Sequence, residues 1–92
     1  MDAAAFEASC RQEGFTDIEA RVGAPNFKAQ PHTHPFAVRV LVTEGEFTLV
    51  REGVPRSYGA GETFHMEAGC NHAEQFGPGG AHFVLGRRHP QP

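Results

Sequence analysis

The chain has 92 residues, of which 39% are hydrophobic and 21% charged, and a net charge of −3. That length makes one domain with one modest core, burying roughly two-thirds of its unfolded surface, and the hydrophobic content is too high for a disordered chain. The acidic balance argues against a nucleic-acid partner, no apolar run approaches the roughly 20 residues that span a bilayer, and Asp2 and Glu7 stand where a secretory signal would be basic. A cytoplasmic location is therefore expected, with Cys10 and Cys70 too few for a disulfide framework and read as free thiols.

Residues 2–13 read as the one helix. Asp2 is a candidate N-cap, Ala3, Ala4, Ala5 and Ala8 favour helix, and Gly14 is a candidate C-terminal stop. Phe6 and Cys10 share a face at i, i+4, and a helix this short must dock to persist. Residues 15–22 alternate in the manner of a half-buried strand, with Ile18, Ala20 and Val22 on one face and Asp17, Glu19 and Arg21 on the other. Gly23-Ala24-Pro25-Asn26 breaks the run. A second extended stretch over 27–34 follows, then a strand over 36–43 whose only charged residue is Arg39. Glu44-Gly45-Glu46 reads as a hairpin turn into a strand over 47–51.

The rest of the chain is also built of short strands. Arg56-Ser57-Tyr58 is one, and 62–67 is another, with Phe64 and Met66 on one face and His65 on the other. The loop Ala68-Gly69-Cys70-Asn71 delivers His72, and a strand over 73–76 is broken by Gly77-Pro78-Gly79-Gly80. The last strand is 81–87, and Arg87-Arg88-His89 reads as a solvated terminus. The 11 glycines and 7 prolines punctuate the chain at short intervals. About eight strands at this spacing predict a closed all-β barrel or sandwich. The organisation is a helical segment over 1–14, a barrel over 15–88 and a flexible tail over 89–92.

Residues 31–45 hold the chemistry. In an extended strand, side chains at i and i+2 point to one face, so His32 and His34 aim two imidazoles at one volume. His72 arrives after a glycine-bearing loop. Neutral imidazole is a ligand for Zn, Fe, Cu and Ni, and three protein ligands with open positions describe a working metal site rather than a structural one. A lone His-x-His pair is more often a surface or turn feature; the third histidine is what changes the reading. His65, His82 and His89 are not expected to be ligands, and Cys70 is read as a loop thiol.

These residues resemble the two motifs of the cupin family. The first appears as His32-Thr33-His34 followed by Gly45. The second appears as Gly61-Glu62-Thr63-Phe64-His65-Met66-Glu67-Ala68-Gly69-Cys70-Asn71-His72. The resemblance implies a small single-domain cupin β-barrel (a double-stranded β-helix, or jelly roll) behind a short N-terminal helix. It also implies one divalent transition metal, of the set Fe, Mn, Zn, Ni and Cu, on His32, His34 and His72. The chain departs from the family pattern in three places. The usual glutamate ligand of the first motif falls on Val38 or Arg39, the motif proline is Glu67, and the motif asparagine is Phe76.

Glu74 is two residues after His72 and so on the same face of an extended strand. It is a candidate fourth ligand or general base, with a solvated strand residue as the alternative. Arg39, Phe36, Phe64 and Phe76 are candidate walls of a pocket for a small, partly apolar molecule, with Arg39 meeting an anion or simply facing outward. The expected function is a metal-binding cupin acting on that molecule, as a dioxygenase or isomerase. The alternative is a non-catalytic binder or sensor in which the metal is an anchor or is lost. A homodimer is expected, since a small barrel has strand edges to hide and the strand over 15–22 is the candidate edge.

Overall fold

Two long strands organise the molecule. The computed structural model describes residues 1–90. Its elements are α1 (Ala3–Gln12), β1 (Asp17–Gly23), β2 (Lys28–His32), β3 (Ala37–Arg51), β4 (Val54–Tyr58), β5 (Thr63–Met66) and β6 (His72–Arg88). β3 and β6 lie antiparallel along their whole length: Ala37 opposes Arg88 at one end and Arg51 opposes His72 at the other. β1 and β5 flank one half of this pair; β2 and β4 flank the other half. Two four-stranded faces result, β1-β6-β3-β5 and β2-β6-β3-β4, and they share both long strands. Val38, Val40, Phe83 and Leu85 from one face meet Phe47, Leu49 and Tyr58 from the other in a common core.

The expected hairpin at Glu44-Gly45-Glu46 and the expected break at Gly77–Gly80 need correction. Residues on both sides of Gly45 pair with the same strand, β6, so the chain does not reverse there. It turns a corner instead, from one face to the other. Glu46 alone stands opposite Gly77, Pro78, Gly79 and Gly80, a bulge that bends both strands together. Gly45 and Gly80 adopt φ of 80° and 77°. A Cβ on Gly45 would lie 2.2 Å from the Gly80 carbonyl oxygen, and one on Gly80 would lie 2.5 Å from the Gly23 carbonyl oxygen, so each position admits only glycine, for a different neighbour. Eight expected strands are therefore six.

α1 begins and ends where its sequence directs. The Asp2 carboxylate accepts from the Ala5 N–H at 2.8 Å. At the other end Gly14, at φ 83°, donates to the Arg11 carbonyl, and Phe15 donates to the Cys10 carbonyl at 2.8 Å. This double closure satisfies the last carbonyls. Phe6 and Cys10 then bury against Phe15, Ala37 and Leu41, a second small core on the outer side of β3. Burial pushes the Cys10 thiol pKa up.

Only the start of β1 lies under this core. Ile18 packs there, whereas Ala20 is exposed and Val22 is 74% exposed. The strand expected to be half-buried is thus covered at one end only. Among the described residues, no helix is long and apolar enough to cross a membrane. Of the tail expected over 89–92, positions 91–92 lie outside the described residues, and His89 contacts Asp17 at 3.1 Å.

Candidate metal centre

β2 and β6 bring the histidines together. His32 and His72 are register partners across the two strands, and His34 follows two residues beyond His32. The ring centroids are 4.4 Å apart for His32–His72, 4.8 Å for His32–His34 and 5.1 Å for His34–His72. Glu74 follows His72 by two residues on β6 and shares its face. One ligand atom from each of His32, His34, His72 and Glu74 lies within 4.8 Å of all the others. Glu74 Oε1 is 3.4 Å from His72 Nε2 and 3.8 Å from His32 Nε2.

Backbone carbonyls set the protonation pattern of two of these rings. His72 Nδ1 donates to the Cys70 carbonyl at 3.0 Å, and His32 Nδ1 donates to the Gln30 carbonyl at 2.6 Å. A carbonyl can only accept, so each Nδ1 carries the proton and each Nε2 presents a lone pair to the cluster. His72 is 2% exposed, and its Nε2 is buried without any hydrogen-bond partner among the described residues. A buried polar atom left unpaired costs free energy. A cation shared with the two other imidazoles and a carboxylate would remove that cost, so the donor set fits a divalent metal.

His34 is fixed differently: its ring stacks on Phe36, with centroids 4.9 Å apart and planes 14° apart. Burial, then the positive charges that His72 and His32 can carry, hold the His34 pKa below its usual value. The imidazole is therefore neutral near pH 7, the form that binds metal.

Beside the cluster is a cavity of about 490 Å³, within the range that encloses small organic ligands. Of the two positions on which the resemblance places the motif glutamate, Val38 lines the cavity and Arg39 does not. The carboxylate present in the cluster is Glu74, on the opposing long strand. Phe36, Phe64 and Phe76, expected as pocket walls, all line the cavity. They are joined by Phe47, whose ring contacts those of Phe64, Phe76 and Phe83 at 5.0–5.1 Å.

Arg39, expected in the pocket, is not there. It points to the opposite face of β3, under α1, where Nη1 donates to Ser9 Oγ at 2.9 Å and to Glu13 Oε2 at 3.2 Å. Its guanidinium lies 5.3 Å from the Phe6 ring centroid. Val38 and Val40 point into the cavity, so strand alternation sends Arg39 outward. Two guanidiniums do line the cavity, those of Arg21 and Arg87; the less exposed is Arg87, read from sequence as part of a solvated terminus. The alternation Phe83, Leu85, Arg87 was the signal for it, since residues two apart share a face. His65, His82 and His89 lie outside the cluster and face Glu67, Glu44 and Asp17 respectively.

No protein-family model matches the chain, and no curated protein matches it. Solved structures do. The Cupin_2 domain of an XRE family transcriptional regulator from Enterobacter cloacae superposes with a TM-score of 0.69 at 19% identity, over 87% of each chain. An RmlC-like cupin from Shewanella frigidimarina gives a TM-score of 0.65 at 21% identity, over 82% of this chain and 69% of its own. The polyketide cyclase RemF from Streptomyces resistomycificus gives 0.68 at 26% identity, over 82% of this chain and 56% of the cyclase.

Proposed function

We propose that this chain, which has the double-stranded β-helix fold of the small cupins, is a mononuclear metalloenzyme acting on a small, partly apolar molecule held in its barrel. The observation that carries this reading is the buried, unpartnered Nε2 of His72, converging with two further imidazoles and a carboxylate. His32, His34 and His72 hold a divalent transition metal (Fe, Mn, Zn, Ni or Cu) and Glu74 completes the set. The bound metal supplies Lewis acidity toward a substrate oxygen or water.

The chain's own residues do the rest. Glu74, with its side chain 22% exposed, is the one carboxylate of the cluster and serves as fourth ligand or as the base that takes a proton from substrate. Phe36, Phe64 and Phe76 exclude water and hold the apolar body of the substrate. The structural likeness to a polyketide cyclase supports an isomerising or ring-closing proton transfer, with dioxygenation as the other chemistry this donor set permits. We place the protein, with its two free thiols, in a reducing compartment such as the cytoplasm. We also propose a homodimer through the exposed edge of β1, where Val22 stands in solvent.

A second reading is favoured by one comparison. The cupin domain of the Enterobacter cloacae regulator matches over nearly its whole length, which supports a ligand sensor without turnover. Elemental analysis of the purified protein, followed by an oxygen-uptake and product screen with catechols, flavonols and small polycyclic phenols, separates the two. Near-stoichiometric metal with turnover supports the enzyme. Ligand-induced thermal shifts without turnover support the sensor. Protein that neither retains nor takes up metal refutes the metalloenzyme.

A further inference from the structure

The geometry points to a planar aromatic acid as the molecule the cavity takes, with Arg87 binding its acid group; this rests on the reading of the cavity as the substrate site. The cavity is polarised. His32, His34 and Glu74 line it, with His72 behind them in the same cluster; its walls are the rings of Phe47, Phe64, Phe76 and Phe83. Arg87 lines it as well, and its side chain is only 15% exposed. The guanidinium sits over the Phe36 ring, 5.5 Å from the centroid, and Phe36 in turn stacks on His34 at 4.9 Å. Arg87 and His34 therefore both border the Phe36 ring, which keeps the guanidinium within two stacking distances of the cluster, a reach that a one- or two-ring molecule has.

Arg87 has donors to spare. Its contacts with Asp17 at 3.4 Å and Glu19 at 3.2 Å both use Nη1. The pairing carboxylates belong to side chains 42–47% exposed, where ion pairs are weak. Nε and Nη2 make no hydrogen bond among the described residues. A guanidinium offers five N–H donors in a fork that suits a carboxylate bidentately. Arg21, the other guanidinium lining the cavity, is half exposed, where water weakens any ion pair it makes, whereas Arg87 is largely buried. A ligand that satisfies every part of the cavity has an oxygen at the imidazole end, a flat apolar body among the phenylalanines, and a carboxylate facing Arg87.

The test uses 6-hydroxy-2-naphthoate, which has both poles, and 2-naphthol, which lacks the acid. Both are titrated by calorimetry into wild type, Arg87→Met and the double variant Asp17→Asn, Glu19→Gln, each with and without Co²⁺. In wild type the acid binds about tenfold or more tightly than the naphthol. In Arg87→Met the preference falls to near one, while 2-naphthol binding is unchanged. In the double variant the preference is kept or increased, because Arg87 is released from its carboxylates. If Arg87 served only to anchor β1, the double variant would behave as Arg87→Met does, and the assignment is overturned. Equal binding of the two probes in wild type, or a preference that survives in Arg87→Met, also overturns it. Co²⁺ uptake is read separately, so failure of the metal centre and failure of the acid pole are distinguishable.

Discussion

Glu74→Gln separates a carboxylate that binds metal from one that merely decorates a strand. The carboxylate sits 3.4 Å from His72 Nε2 and 3.8 Å from His32 Nε2, and it is half-buried. Removing its charge there costs little, because an amide is cheaper to desolvate than a carboxylate. With metal bound, the same change removes the only anionic ligand. A loss of roughly 10–100-fold in affinity is the expected scale. At a free metal concentration near 100 times the wild-type dissociation constant, binding stabilises the wild type by about 2.7 kcal/mol. The variant, at the same concentration, gains only about 0.4–1.4 kcal/mol from the same relation. Each kcal/mol moves the melting temperature of a domain this size by roughly 4–8 °C. Thermal melts of both proteins, with EDTA and with Zn²⁺, therefore give similar curves without metal and clearly separated curves with it. A metal-induced shift as large in the variant as in wild type refutes Glu74 as a ligand.

Three further outcomes follow from the packing and the ion pairs. Gly45→Ala forces a Cβ to within 2.2 Å of the Gly80 carbonyl oxygen at a φ of 80°, so urea unfolding should show a loss of more than about 2 kcal/mol; a loss under 0.5 kcal/mol would mean the corner is loose. The Asp17 carboxyl pKa is held low first by its hydrogen bond from His89, and that of Glu19 by hydrogen bonds from Arg21 and Arg87. Carboxyls depressed on folding stabilise above their ordinary values, 3.8 and 4.5, and lose that contribution as pH falls through the folded-state values. The stability advantage of wild type over Asp17→Asn, Glu19→Gln is accordingly full at pH 6 and shrinks below pH about 4; an advantage that grows in acid contradicts the pairing. Cys70, half-buried, reacts with a thiol reagent before the fully buried Cys10, whose pKa burial also raises; equal rates under native conditions would show that α1 undocks.

What was legible in the sequence had local causes. Asp2 caps α1 through its own third neighbour, Gly14 closes the helix through contacts five residues back or fewer, and His32 and His34 follow from strand alternation. What was not legible depended on partners far along the chain. Gly45 carries the same signal for a hairpin as for a corner; the deciding fact is that Gly80, 35 residues later, crosses against it. Arg39 was misplaced because both faces of β3 are covered, one by the cavity and one by α1. Val38, Val40, Leu41 and Val42 are all buried, and such a run carries no parity. Val22 reads as core by alternation, yet of β1 the core under α1 reaches only Ile18 and Val22 is left exposed. Arg87 was hidden by its neighbours, since a basic run near the end of a chain reads as solvent-facing whichever way one side chain points.

The convergence of His32, His34, His72 and Glu74 on one ion is tested most directly by X-ray absorption at the metal edge of protein loaded with one equivalent of Zn²⁺. The expected shell holds three imidazole nitrogens and a carboxylate oxygen at about 2.0–2.2 Å, and His72→Ala loses the ion altogether. An ion that stays bound in His72→Ala, or a shell with fewer than two imidazoles, would mean that these side chains do not form a metal centre.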